Sequence, residues 1–150
     1  MVAQPTATAY TDPGLASSTA YDYRVSAYNG VGVGGESGFA GLTETTLVAP
    51  PPAPANLRLN GTKTVSSIPV AWNAVAGIGL TYTLKRSADG GTTWVNAGTN
   101  LTATAYTDTG LTFNTSYKYQ VFAVSSTGLV SDGSNPVSYT HLTLPTTERV

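Results

Sequence analysis

The sequence predicts an all-β fold: an antiparallel sandwich of about seven short strands over residues 55–137, preceded by the back half of a second such unit. Three observations predict it. Apolar and polar residues alternate at period two over short runs. No window carries a capped apolar stripe of helical period. A long stretch of the chain also occurs twice. Thr6-Ala-Thr-Ala-Tyr-Thr-Asp-Pro-Gly-Leu15 returns 96 residues later as Thr102-Ala-Thr-Ala-Tyr-Thr-Asp-Thr-Gly-Leu111. The match continues through Thr19/Thr115, Tyr21/Tyr117, Tyr23/Tyr119, Val25/Val121, Ala27/Ala123 and Gly32/Gly128. A period this long means tandem globular modules, because solenoid repeats run at roughly 20–50 residues.

In chain order, residues 1–47 form a truncated first module with strands expected near 7–11, 20–29 and 38–46. Val48-Ala-Pro-Pro-Pro-Ala-Pro54 follows as a semi-rigid linker, since proline fixes φ and donates no hydrogen bond. The second module has strands expected near 55–60, 66–73, 80–87, 92–97, 103–107, 116–125 and 131–138. Ile68, Val70 and Trp72 alternate with Pro69 and Ala71, and Tyr82 and Leu84 with Thr81, Thr83 and Lys85. Tyr117, Tyr119, Val121 and Ala123 alternate in the same way, which puts one face of each strand on a core. Gly77-Ile-Gly79, Asp89-Gly-Gly91, Thr109-Gly110 and Ser126-Thr-Gly128 supply the turns between strands. A domain of this size buries only about 60–65% of its unfolded surface, so Trp72, Tyr82, Leu84, Tyr117, Tyr119 and Val121 are expected to carry its stability. Tyr21 and Tyr23 are the corresponding positions of the first module.

Composition narrows the function. Seven Lys+Arg against eight Asp+Glu give a net charge of −1, and Lys85-Arg86 is the longest cationic run, so no nucleic-acid footprint exists. No apolar stretch approaches the roughly 18 residues that span a bilayer. Met1-Val-Ala-Gln-Pro5 lacks the basic flank and apolar core of a signal peptide. With no Cys there is no disulfide framework, thiolate nucleophile or cysteine-zinc site, and the lone His141 provides neither a triad base nor a His-based metal site. The carboxylates Asp12, Asp22, Glu36, Glu44, Asp89, Asp108, Asp132 and Glu148 sit mostly singly among Gly, Ser and Thr, as turn-forming carboxylates do. No catalytic residue, metal or cofactor is expected.

Leu111-Thr-Phe-Asn-Thr-Ser-Tyr117-Lys-Tyr-Gln-Val121-Phe-Ala-Val124 resembles the penultimate strand of fibronectin type III domains and its approach. The Pro-rich linker with Asn56-Leu57, and Val70-Ala-Trp72 on the second strand, are similar to the same family, as is Asp12 to Ala27 in the first copy. The resemblance covers roughly residues 1–137 and implies an immunoglobulin-like sandwich in which Tyr117 is the corner tyrosine, its hydroxyl tied to upstream backbone. Phe113 departs from the family, which often carries Pro there, and the Arg-Gly-Asp tripeptide of some members is absent. The resemblance also implies a tandem-repeat, extracellular or cell-surface setting, in a secreted bacterial multidomain protein.

Ser87-Ala-Asp89-Gly-Gly91-Thr-Thr93-Trp94 resembles the Asp-box of sialidases, with Asp89 receiving turn amides and the glycines at positive φ. One copy, without the repetition a propeller shows, reads as a stabilised hairpin between the third and fourth strands. Asn60, Asn100 and Asn114 open glycosylation sequons that a Thr-rich chain produces by chance. Phe122 faces outward by strand parity, as does Tyr28 in the first copy.

Three functions are weighed. The first is a non-catalytic spacer and interaction module whose partners are neighbouring domains of the same polypeptide. The second is a carbohydrate-binding accessory domain of a polysaccharide-degrading enzyme, using Trp94 and Phe122 as a platform for polysaccharide or a cell-surface protein. The third is a fragment of a sialidase-like enzyme, which would need an arginine cluster; Arg24, Arg58 and Arg86 are scattered. Residues 138–150 are expected to be non-native: Val137-Ser-Tyr-Thr-His-Leu-Thr-Leu-Pro-Thr146 resembles translated transposase adapter from a sequencing library.

Overall fold

The computed structural model describes residues 5–30 and 35–140. The chain divides into two compact units, Met1–Ala49 and Pro50–Val150. In the first, β1 (Ala20–Val25) pairs antiparallel with β2 (Ala40–Thr45), Tyr21 opposite Glu44 and Tyr23 opposite Leu42. An isolated bridge joins Tyr28 to Glu36, so β1 stops short of residue 29. No strand forms near 7–11, contrary to expectation. The matching residues of the second repeat pair with a strand at Ser67–Ala71, and that strand has no counterpart among residues 1–47.

The second unit holds β3 (Arg58–Leu59), β4 (Ser67–Ala71), β5 (Thr81–Ser87), β6 (Val95–Leu101), β7 (Ala105–Thr109), β8 (Ser116–Val124) and β9 (Val137–Thr140). They form two antiparallel sheets, one in the order β3-β4-β7 and the other β6-β5-β8-β9. Among the described residues there is no helix, and the unit is the expected all-β sandwich. The expected alternation holds where strands face the core. Ile68 and Val70 on β4, Leu84 on β5, and Tyr119, Val121 and Ala123 on β8 are wholly buried. Trp72 and Tyr82 meet edge to face with centroids 5.5 Å apart, and Leu57 and Leu111 close the cluster. The Trp72 indole nitrogen has no hydrogen-bond partner among the described residues, so the ring acts there as bulk.

Three strands differ from expectation, each for a local reason. β3 has two residues where 55–60 was expected. Asn60 N–H donates to the Pro69 carbonyl at 3.0 Å, but the reciprocal bond needs an N–H that Pro69 lacks. β6 begins at Val95 rather than near 92, because the amides of Thr92 and Thr93 are drawn into the preceding turn. The last strand is displaced from 131–138 to Val137–Thr140. Upstream of it, Ser131 and Ser134 N–H donate to the carbonyls of Ala123 and Val121, while their hydroxyls accept from the Ala123 and Val121 amides at 2.9 and 3.1 Å. Buried serine hydroxyls thus stand in for ladder carbonyls along this edge of β8. β9 includes Ser138–Thr140; its pairing follows from alternation, which an accidental tail also supplies. His141 and the rest of the adapter-like stretch lie outside the described residues.

Candidate functional site

The turn from Ser87 to Trp94 is built around one carboxylate. Asp89 accepts from the Thr92 amide at 3.0 Å, the Thr93 amide at 2.9 Å, the Thr93 hydroxyl at 2.6 Å and the Ser87 hydroxyl at 2.7 Å. These donors, the Thr93 hydroxyl foremost, hold its pKa well below the usual carboxylate range. Ser87, buried at the end of β5, accepts from the Gly91 amide at 2.8 Å. Gly90 and Gly91 take φ of 79° and 102°, which side chains rarely allow. The Trp94 indole donates to the Gly91 carbonyl at 3.0 Å and Lys118 Nζ to the Gly90 carbonyl at 2.6 Å. A carboxylate held ionised and saturated with intramolecular donors is a poor proton donor. What it does here is fix the turn.

The two proposed platform rings are both half-buried. Trp94 lies beside the turn, its indole bonded to the Gly91 carbonyl, and Lys118 reaches the same glycines. Phe122 is four residues further along β8 than Lys118, on the order of 13 Å away at strand rise, and faces Thr83 across the ladder. Lys85 Nζ stands 4.9 Å from the Phe122 ring centre and occupies its face. Tyr28 is 67% exposed in the first unit. The sequon asparagines are exposed; Asn100 and Asn114 each sit at a φ of 53°, a turn conformation asparagine tolerates.

A polar cluster inside the sandwich was not anticipated. Asp108, grouped above with turn carboxylates, is instead buried on β7, opposite Ile68. Arg86 Nη1 donates to both its oxygens at 2.9 and 3.0 Å, and the Tyr119 hydroxyl donates to Oδ2 at 2.8 Å. Burial, then the bond to Asp108, pushes the Tyr119 pKa far up. Arg86 also lies over the Tyr117 ring, 5.5 Å from its centre. Strand parity contained the signal, because Arg86 follows Tyr82 and Leu84 at the next inward position.

The tyrosine anchors recur in both units. Tyr117 OH accepts from the Thr112 amide at 2.9 Å, and Tyr21 OH from the Ala16 amide at 3.0 Å. Tyr23 OH donates to Asp12 at 3.4 Å, as Tyr119 does to Asp108. Tyr21 and Tyr23 are half-buried rather than core, unlike their counterparts. Arg24, Arg58 and Arg86 are engaged separately, by Phe39, by Asn56 with Asn73, and by Asp108. Among the described residues no group of three metal-ligating side chains assembles, and no helix is long and apolar enough to cross a membrane.

Fold and site together define an immunoglobulin-like β-sandwich module in which Asp89 is committed to a turn and Arg86 and Asp108 to an internal tie. Residues 52–140 match the fibronectin type III domain family, and the chain belongs to that family. It is 39% identical over 148 residues to exoglucanase B of Cellulomonas fimi, covering 93% of this chain and 13% of that protein. It is 36% identical over 160 residues to endoglucanase B of the same genus and species, covering 98% and 14%. The chain therefore spans about one seventh of the length of these relatives. Among solved structures, an Fn3-like protein from Clostridium thermocellum is 32% identical with a TM-score of 0.55, covering 64% of this chain and 98% of that one.

Proposed function

We propose that the chain is a non-catalytic spacer and interaction module of a secreted, polysaccharide-acting multidomain protein. One observation carries the reading. The similarity to exoglucanase B covers 93% of the chain, so it runs through both repeats and the Pro-rich linker rather than one sandwich. A tandem arrangement embedded in a glucan-acting polypeptide is what a spacer requires. The partners are neighbouring domains of the same polypeptide, and the setting is extracellular or cell-surface. The carbohydrate-platform reading has less support, since Lys85 occupies the face of Phe122 and Trp94 is tied into a turn. The sialidase-fragment reading has least, since its required arginine cluster does not form among the described residues. The test is to assay the purified chain for reducing-sugar release and for retardation in affinity gels across soluble and insoluble glucans. The spacer reading expects neither. Retardation lost in Trp94→Ala or Phe122→Ala would favour the platform, and sugar release would end the non-catalytic reading.

A further inference from the structure

An asparagine side chain can be attacked by the main-chain nitrogen of the next residue, which closes a five-membered ring on its amide carbon. A side chain on that next residue hinders the approach, so glycine, which has none, permits it best. In the second unit only Asn60 is followed by glycine. Asn56 and Asn100 precede leucine, Asn73 and Asn96 alanine, and Asn114 a β-branched threonine. Asn135 precedes a proline, which has no N–H to give up.

The fold exposes the same dipeptide. Asn60 lies at the surface just past the two-residue β3, and its own amide makes the last bond to the β4 side, at the Pro69 carbonyl. Beyond that bond the peptide group between Asn60 and Gly61 is unheld. Among the described residues nothing accepts from the Gly61 N–H, donates to the Asn60 carbonyl or bonds the Asn60 side chain. The nearest atom to where a Gly61 Cβ would sit is Pro69 Cγ, at 3.8 Å, so the approach to the Gly61 nitrogen is open. Elsewhere asparagines are engaged: the Asn56 and Asn73 side chains bond each other at 3.4 Å, and Asn96 and Asn100 lie within β6.

We propose that Asn60 is a self-modification site, at which the chain loses ammonia and becomes aspartate and isoaspartate. The Gly61 nitrogen gives its proton to hydroxide and bonds to Asn60 Cγ, and the side-chain nitrogen leaves as ammonia with a proton from water. The resulting succinimide then takes up one water. Breaking the bond from Cγ to nitrogen yields aspartate in the ordinary chain. Breaking the bond from the main-chain carbonyl carbon yields isoaspartate, with the chain now running through Cγ. Either product adds a negative charge to the turn and removes the Asn60-Gly-Thr62 sequon. Isoaspartate also lengthens the main chain directly beside the bond that ends β3. The inference needs only this turn, so it stands apart from the role proposed above.

The test incubates the purified full chain at neutral pH over weeks and maps its peptides by mass spectrometry. Conversion at Asn60 should run about tenfold or more faster than at Asn100 and Asn114 in the same sample. Its products should separate as two peptides of equal mass, and Asn60→Gln should abolish the conversion there. Asn29, which precedes Gly30, lies on a different peptide and is read apart. Conversion at Asn60 no faster than at Asn100 overturns the proposal. Conversion that appears only in urea also overturns it, because the folded turn would then block the attack. Aspartate without isoaspartate overturns it too, since the ammonia would have left by direct hydrolysis and not through the ring.

Discussion

The hydroxyl of Tyr119 donates a 2.8 Å hydrogen bond to the carboxylate of Asp108 inside the sandwich of the second unit, where both side chains are buried. Arg86 completes the arrangement from β5, binding both oxygens of the same carboxylate. The cluster ties β5, β7 and β8 together across the two sheets. Removing the carboxylate leaves a guanidinium and a phenol without their acceptor. Asp108→Ala should therefore cost about 2–4 kcal/mol, somewhat below a fully buried pair because a quarter of Arg86 remains exposed. Urea melts of the full chain check this, and a cost under about 0.5 kcal/mol would contradict it.

Tyr119 makes the sandwich sensitive to alkali. Burial first, and then the bond to Asp108, raises its folded pKa above the unfolded value of about 10. Its contribution is full below that unfolded pKa and is lost as pH rises above it, because the unfolded phenol releases its proton first. Between about pH 8 and 11, the native chain should lose stability relative to Tyr119→Phe. Parallel pH curves for the two proteins would contradict the assignment.

Asp89 works in the opposite direction. The Thr93 hydroxyl and amide and the Ser87 hydroxyl depress its pKa, so its contribution is present above the unfolded value of about 4 and fades as pH falls through and below it. The stability advantage of the native chain over Asp89→Asn should narrow as pH is lowered from about 6 to 2. An advantage that widens with acid would contradict the turn geometry.

Trp72 is 2% exposed and packs edge to face on Tyr82. Trp72→Ala should cost about 3–5 kcal/mol, as large aromatic truncations in cores do. Trp72→Phe should cost clearly less, because the indole nitrogen has no hydrogen bond to lose among the described residues. Equal losses in denaturant melts would show that the ring's polar edge matters after all.

The parts of the fold that were legible in the sequence are those governed by period two. Ile68, Val70 and Trp72 alternate with the smaller Pro69 and Ala71, and Tyr117, Tyr119 and Val121 with Lys118 and Gln120, so each set reads as one buried face. Charged residues at inward positions were not legible in the same way. Arg86 and Asp108 look like surface or turn residues until strand pairing brings them together from 22 residues apart. The displaced last strand depends on Ser131 and Ser134 hydroxyls replacing carbonyls, a bond no local pattern reveals. The missing strand near 7–11 depends on a long-range partner, which propensity also ignores. The Asp-box turn was readable because its donors and acceptor lie within eight residues, Ser87 to Trp94.

The proposal that the chain is a non-catalytic module of a glucan-acting polypeptide is tested by adapter-free long-read sequencing of the source DNA through the gene. A glycosidase catalytic domain is expected in the same uninterrupted frame as codons 55–137. A complete frame with no catalytic domain in any part of it would overturn the proposal.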